Sequence, residues 1–193
     1  MNNDNRNYCK WIKILTTDKS WIIRHDIDFD IGMARHMLNA ERNMEVKSIT
    51  YVDVHSPSYT INDILNLYNE FHNDGFMFGL HINTAYDNDK DDAIKQYKED
   101  IELLRNNNIN VHSCVGHLYS VNRIPVPEFS NLTIELNAKD YSDVPSFWDA
   151  FCLGRNSCCR IIDSACYLHS SYGPIGNLDG IITTSTMSSI GYI

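Results

Sequence analysis

The stretch Trp21-Ile-Ile-Arg-His-Asp-Ile-Asp28 decides the fold class of this 193-residue chain, because it joins an apolar strand to a pair of carboxylates. Its leading apolar residues, followed by turn and helix signals, are typical of a strand buried inside a sheet. Side chains two apart on a strand point to the same side, so Asp26 and Asp28 project together from its C-terminal end. In parallel α/β folds, that end is where sites are built.

The pair Asp26 and Asp28 has two interpretations. Two carboxylates on one face repel, and burial makes each charge costlier, so a bound cation would relieve both costs. In the structural interpretation, the carboxylates belong to a strand-to-helix turn and one of them caps the helix. Asp30, just before the helix signal Ile31-Gly-Met-Ala34, is better placed for that cap. The interpretation as a site is therefore favoured.

An alternation of strands and helices extends to about residue 117. Strands are predicted at 21–28, 46–54, 76–82 and 109–115, and helices at 31–43, 61–72 and 89–105. This pattern predicts a parallel α/β fold, in which right-handed crossovers bring all four strand ends to one rim. Asp26, Asp28, His81 and His117 each fall at such an end, so we expect them to lie together.

The pattern loosens after Ser120. Residues 1–20 are expected to form a polar arm and a lead-in, and residues 21–193 a single domain. The later predicted elements are strands at 133–137, 160–163 and 180–183, with a short helix at 145–151.

Composition excludes several classes of function. A net charge of −9 argues against nucleic acid or an anionic membrane surface as the main partner. No apolar stretch approaches the roughly 20 residues of a membrane span, and the polar start lacks a signal-peptide core. A cytoplasmic location is therefore predicted. The six cysteines match no zinc spacing, so free thiols are favoured over a metal cluster at 152–166.

Three motifs carry a resemblance to a known family. They are Arg24-His-Asp-Ile-Asp28, Gly75-Phe-Met-Phe-Gly-Leu-His81 and Val115-Gly-His117. They resemble the polysaccharide deacetylase (NodB-homology) superfamily, in particular its bacterial branch with an R-H-D-V-D first motif, which occurs in surface-polysaccharide gene clusters. The resemblance covers about residues 20 to 120, and Arg160-Ile-Ile-Asp-Ser164 is similar to a later strand motif of that branch.

The resemblance implies an α/β fold of the irregular (β/α) barrel type, and an incomplete barrel is an open alternative. It implies removal of acetyl groups from sugars with a divalent metal, for which zinc suits this mixture of ligands. By matching positions, Asp26 is the general base and Asp28 and His81 are metal ligands. His117 is the candidate third ligand, by analogy with the branch.

Three features depart from the family pattern. The common second motif has another histidine four residues on, where this chain has Ala85, and the Arg-rich third motif is absent. The late Leu-His motif that supplies the general acid is also not clear. His169, in Tyr167-Leu-His-Ser170, is the candidate for that catalytic role, and an ordinary loop histidine is the alternative.

Further residues are predicted around this centre. Arg24 and His25 are expected to orient or neutralise Asp26, although the strand alternation points His25 to the opposite face. Asp163, at the end of a later predicted strand, is a candidate for a residue that orients a metal ligand by a hydrogen bond. The residues expected to bind the carbohydrate are Arg24, Tyr51, Tyr59 and Tyr119.

Three functions stay open on this sequence. The first is a metal-dependent carbohydrate deacetylase, and the second is a metal-dependent hydrolase of another amide or ester. The third is a catalytically inactive barrel that binds sugar or has a structural role. Retention of Asp26, Asp28, His81 and His117 favours the hydrolases, whereas Ala85 favours the inactive protein.

Overall fold

The computed structural model describes residues 22–84, 89–117, 129–147, 160–163 and 180–185. The strands are β1 Ile22–Ile27, β2 Ser48–Val52, β3 Met77–Ile82, β4 Val111–Gly116, β5 Arg160–Asp163 and β6 Gly180–Ser185. The helices are α1 Ile31–Asn43, α2 Ile61–Phe71, α3 Lys90–Asn106, α4 Asn131–Leu136 and α5 Ala138–Tyr141, with a 3₁₀ turn at His72–Asp74.

All six strands form one parallel sheet with the order β4-β3-β2-β1-β6-β5. The order follows the chain back from β4 to β1 and continues with β6 and β5, which is the cyclic order of a barrel. Among the residues that the structure describes, β4 and β5 are not paired with each other. The predicted parallel α/β fold is confirmed, and closure into a barrel stays a prediction.

The predicted helix starts are confirmed by their caps. The Asp30 side chain accepts a hydrogen bond from the Met33 N–H at 2.9 Å, so Asp30 caps α1 as expected. At α2, Thr60 and Asp63 form a reciprocal capping box. Asp26 and Asp28 are therefore not needed as helix caps, which removes the structural interpretation based on capping.

The segment 133–137 was predicted as a strand, and that prediction is wrong, because these residues lie in α4 and the turn that follows it. Ser130 caps the helix by accepting from the Thr133 N–H at 3.4 Å. Ile134 and Ala138, four residues apart, are both fully buried, which is the spacing of a helical face. The predicted strands at 160–163 and 180–183 are confirmed, and of the predicted helix at 145–151 only residues 145–147 are described.

The two faces of β1 have different surroundings. Ile27 joins the apolar core with Ala34 and Leu38 of α1, so the odd-numbered residues of the strand face the helices. Asp26 pairs in register with Tyr51 on β2, so the even-numbered residues face the opposite side of the sheet. None of the described helices is long and apolar enough to span a membrane.

Gly79 on β3 makes room for the ring of Tyr51. A Cβ atom at position 79 would lie 2.4 Å from a ring carbon of Tyr51 and 2.5 Å from the carbonyl oxygen of Ser113. Only glycine fits there without movement of the backbone. The Tyr51 ring can therefore cross β3, and its hydroxyl reaches the Ser113 hydroxyl at 2.5 Å.

A fully buried contact between a histidine and a glutamate ties β1, α1 and β2 together on the helix side of the sheet. The His25 Nε2 atom lies 2.6 Å from Glu41 Oε1, and both side chains are 0% exposed. Ser48 donates its hydroxyl hydrogen to the other carboxyl oxygen of Glu41 at 2.6 Å. Removal of one partner from such a buried polar contact is strongly destabilising, because the remaining groups lose their hydrogen bonds away from water.

We expect Glu41→Ala to lower the free energy of unfolding by about 3–5 kcal/mol, because His25 and Ser48 lose their shared partner. Urea unfolding at neutral pH measures this change. The matched control is Glu70→Ala, which removes a half-exposed ion pair with Arg35 and should cost about 0–1 kcal/mol. Equal losses in the two variants would contradict the assignment of the buried pair.

Candidate metal centre

The structure brings together three of the residues that the sequence predicted as metal ligands. Asp28, His81 and His117 each offer one ligand atom, and these atoms all lie within 4.8 Å of one another. The Asp28 Oδ1 atom is 3.2 Å from His81 Nδ1 and 3.1 Å from His117 Nδ1. The side chains are 7%, 2% and 13% exposed, respectively, so the cluster is buried.

Strand pairing explains why these residues meet. His81 lies near the end of β3 and pairs in register with Val115 of β4. The backbone N–H of His117 continues this pairing by donating to the Ile82 carbonyl at 2.8 Å. The two imidazole rings consequently lie 4.8 Å apart, centroid to centroid. Asp28 follows β1 and reaches the cluster from the same rim of the sheet.

The donor set fits a divalent ion such as zinc. One carboxylate oxygen and two imidazole nitrogens are typical zinc ligands, and ligands about 2.0–2.2 Å from a tetrahedral ion lie about 3.4 Å apart. The observed oxygen–nitrogen separations of 3.1 and 3.2 Å are close to that value. His81 Nδ1 is buried and lies 3.2 Å from Asp28 Oδ1, a separation that lets both atoms serve one cation.

Acidic neighbours dominate the electrostatics of the cluster. Burial alone would lower the pKa of His81, but the nearby carboxylates of Asp28 and Asp26 raise it above its ordinary value. A divalent cation would satisfy the same negative charge while keeping the imidazole neutral.

Arg24 and Asp26 form a two-point ion pair beside the cluster. The Arg24 Nε atom donates to Asp26 Oδ1 at 2.8 Å, and a terminal guanidinium nitrogen donates to Oδ2 at 2.5 Å. Burial alone would lower the pKa of Arg24, but the Asp26 carboxylate raises it above its ordinary value. The guanidinium also lies over the rings of Tyr51 and Phe147, at 5.8 and 5.1 Å from their centroids. Asp26 is therefore held in one orientation.

Two tyrosines predicted to bind carbohydrate are buried and make internal contacts, and their binding of carbohydrate stays a prediction. Tyr51 is 0% exposed, and burial raises the pKa of its hydroxyl, so the residue packs beneath Arg24 and does not line an open cleft. Tyr59 donates its hydroxyl hydrogen to the Ile27 carbonyl and accepts from the Asp53 N–H at 3.0 Å. Tyr59 thus ties the end of β1 to the end of β2.

The remaining predicted site residues have different outcomes. His25 lies on the helix side with Glu41, because alternate side chains of a strand point to opposite faces, so an orienting effect on Asp26 stays a prediction. Asp163 ends β5 as expected, and its side chain lies outside the described residues. Tyr119 and His169 also lie outside them, so their roles stay predictions.

The sequence interpretation missed Glu135, which the structure places against Gly116, the residue before the candidate ligand His117. Its Oε2 atom accepts a hydrogen bond from the Gly116 N–H at 2.8 Å. Its Oε1 atom is buried and has no hydrogen-bond partner among the described residues. Burial raises the pKa of the Glu135 carboxyl to about 7, against the lowering effects of the Gly116 N–H, Arg24 and His81.

A helical interpretation of residues 131–136 could have identified Glu135. Ser130 is a preferred N-cap residue, and Ile134 and Ala138 have the spacing of an apolar helical face. A strand was favoured because Thr133 and Ile134 are β-branched. No sequence pattern shows that this short helix returns to the ends of β1, β3 and β4.

Comparison with known proteins gives a likeness of fold. No family model and no curated protein matches the chain. Among solved structures, the chain is similar to a mutant of a CE4 family pseudoenzyme with restored enzymatic activity, with a TM-score of 0.55 and 11% sequence identity. The match covers 88% of this chain and 57% of that one, so this chain spans little more than half the length of that protein. At this identity, the match shows a likeness of fold alone.

In the metal-free protein, we expect Glu135→Gln to become increasingly stable relative to the unmodified protein as the pH rises from 4.5 to about 7. Between these values, unfolded Glu135 has lost its proton and folded Glu135 keeps it, so unfolding releases a proton and rising pH favours unfolding. Glutamine does not ionise, so Glu135→Gln avoids this loss of stability. Across the whole pH range, its free energy of unfolding should rise relative to that of the unmodified protein by on the order of 3 kcal/mol.

Urea unfolding at several pH values in a chelator measures this difference. The matched control is Glu102→Gln on α3, an exposed carboxylate paired with Arg105. Its stability difference from the unmodified protein should not change between pH 4.5 and 7 as the Glu135→Gln difference does. A Glu135→Gln difference that is independent of pH would contradict the perturbed carboxyl.

Proposed function

We propose that this protein is a metal-dependent hydrolase that removes acetyl groups from sugars or amino sugars. One observation carries the proposal: Asp28, His81 and His117 converge at the rim of a parallel sheet, next to an oriented Asp26. The fold likeness to a CE4 family protein and the sequence resemblance to polysaccharide deacetylases support a carbohydrate substrate.

Asp28, His81 and His117 are the residues that would hold the ion. When bound, a zinc-like ion polarises the acetyl carbonyl and lowers the pKa of a water molecule to about 7. Three protein ligands are the number typical of catalytic zinc centres, in which a water molecule would take the remaining position.

Asp26 is the proposed general base. Its carboxylate lies on the same strand face as the ligand Asp28, two residues away, and can take a proton from the attacking water. Arg24 fixes the orientation of that carboxylate through two hydrogen bonds.

An inactive protein is the second candidate, and it has an observation of its own. The similar structure is described as that of a pseudoenzyme in which a mutant has restored activity, so this fold exists without catalysis. Position 85 is alanine where the common deacetylase motif has a histidine. On this alternative, the chain keeps the fold and binds sugar or has a structural role.

We expect the metal-free protein to bind one zinc ion per chain, measured by calorimetric titration and by elemental analysis. Asp28→Ala and His81→Ala should each weaken binding by more than about 100-fold, because each removes a direct ligand. Zinc at 100 times its dissociation constant should raise the free energy of unfolding by about 2.7 kcal/mol.

Two matched variants control for general effects of these substitutions. Asp143→Ala removes an exposed carboxylate and His36→Ala an exposed imidazole, and both variants should bind zinc as the unmodified protein does. Zinc binding that survives both Asp28→Ala and His81→Ala would place the metal elsewhere.

We also expect the zinc-loaded protein to release acetate from N-acetylated or O-acetylated sugars. Asp26→Asn should lower kcat/KM by about 10²–10⁴-fold while zinc binding is retained, because the base is lost and the ligands remain. An enzymatic acetate assay measures this change. A protein that binds zinc and releases no acetate from any acetylated sugar would support the inactive alternative.

A further inference from the structure

We infer that Glu135 is the proton donor of this site, the group that supplies a proton to the departing amine or alcohol. The inference rests on the proposed hydrolase function. It assigns a residue to the protonation of the leaving group, for which the sequence offered only His169.

The position of Glu135 is fixed, because helix α4 packs closely on the end of β4. A Cβ atom at Gly116 would lie 2.8 Å from the Asn131 carbonyl oxygen, so glycine permits this approach. The Gly116 N–H then holds one carboxyl oxygen of Glu135 at 2.8 Å. The other oxygen, Oε1, is buried without a hydrogen-bond partner among the described residues.

The charges around Glu135 bear on whether its carboxyl group keeps a proton. The groups that act on its carboxyl are Arg24 and Asp26 from β1, His81 from β3 and the Gly116 N–H from β4. Arg24 is already committed to Asp26 through two hydrogen bonds. Glu135 is 2% exposed, and its pKa of about 7 agrees with a carboxyl that keeps its proton near neutral pH.

Two carboxyl groups in different environments can divide the roles of acid and base. Asp26, paired with Arg24, is the group that accepts a proton from water. Glu135 is buried, and its Oε1 atom has no hydrogen-bond partner among the described residues, so it is the group that can donate. The hydrogen bond to the N–H of Gly116, which precedes the ligand His117, places the Glu135 carboxyl beside the site.

The proposed step balances as follows. Water adds its oxygen to the acetyl carbonyl carbon, and Asp26 takes the water proton. The bond between that carbon and the sugar nitrogen or oxygen then breaks, and its electron pair stays on the sugar. Glu135 transfers its proton to that atom, which leaves a free amine or hydroxyl group and acetic acid, and the acetic acid gives up its proton to solvent as acetate. Exchange with solvent returns a proton to Glu135 and removes one from Asp26.

The test compares substrates that differ in their need for an acid. An N-acetyl amino sugar has a poor leaving group, whereas p-nitrophenyl acetate releases a stable anion that needs no proton. Glu135→Gln should lower kcat/KM for the N-acetyl sugar by about 10²–10⁴-fold and change it less than about threefold for p-nitrophenyl acetate.

Two further variants make the comparison specific. Glu102→Gln, on the exposed face of α3, should leave both rates unchanged. His169→Gln should lack the leaving-group dependence. Equal losses on both substrates in Glu135→Gln, no loss on either, or selective loss in His169→Gln would each overturn the inference.

Infrared spectroscopy gives a readout that does not depend on activity. The metal-free protein at neutral pH should show the carbonyl band of a buried protonated carboxyl group, and Glu135→Gln should remove it. Absence of this band overturns the role of Glu135 and leaves the hydrolase proposal standing. A band in a zinc-binding protein that cleaves neither substrate overturns the hydrolase, and the donor role with it.

Discussion

Charged side chains on both faces of β1 need opposite partners, because the strand lies inside the sheet and a buried charge without a partner is costly. The two faces meet this constraint differently. On the helix side, His25 pairs with Glu41, and Ser48 completes the arrangement. On the other side, Arg24 can neutralise one carboxylate and holds Asp26. The Asp28 carboxylate lies 3.2 Å from His81 Nδ1 and 3.1 Å from His117 Nδ1. These three side chains form the proposed cation site.

The local part of this arrangement could be predicted from sequence. Alternation along β1 separates Asp26 and Asp28 from His25, and repeated strand–helix units place His81 and His117 at neighbouring strand ends. The caps at Asp30 and Thr60 follow from residue type and position. These features depend on short-range geometry, so the spacing of residues along the chain predicts them.

The non-local part could not be predicted. Tyr51 was expected in a cleft, yet Gly79 lets its ring cross β3 and become fully buried. Glu135 was assigned to a strand, and its role depends on a short helix that packs against Gly116. A glycine in a strand signals close approach by another group, but it does not identify the group. Such contacts join segments that are distant in the chain, and no repeating pattern in the sequence predicts that they meet.

The strand order has a consequence for how this chain folds during synthesis. β1 pairs with β2 on one side and with β6 on the other, and β6 begins only at Gly180. At a synthesis rate of about 5–20 residues per second, one edge of β1 stays unpaired for on the order of ten seconds, until β6 has left the ribosome. An unpaired strand edge can recruit another chain during that interval. The newly made protein is therefore most vulnerable to aggregation late in translation, when four strands have formed and the last two have not.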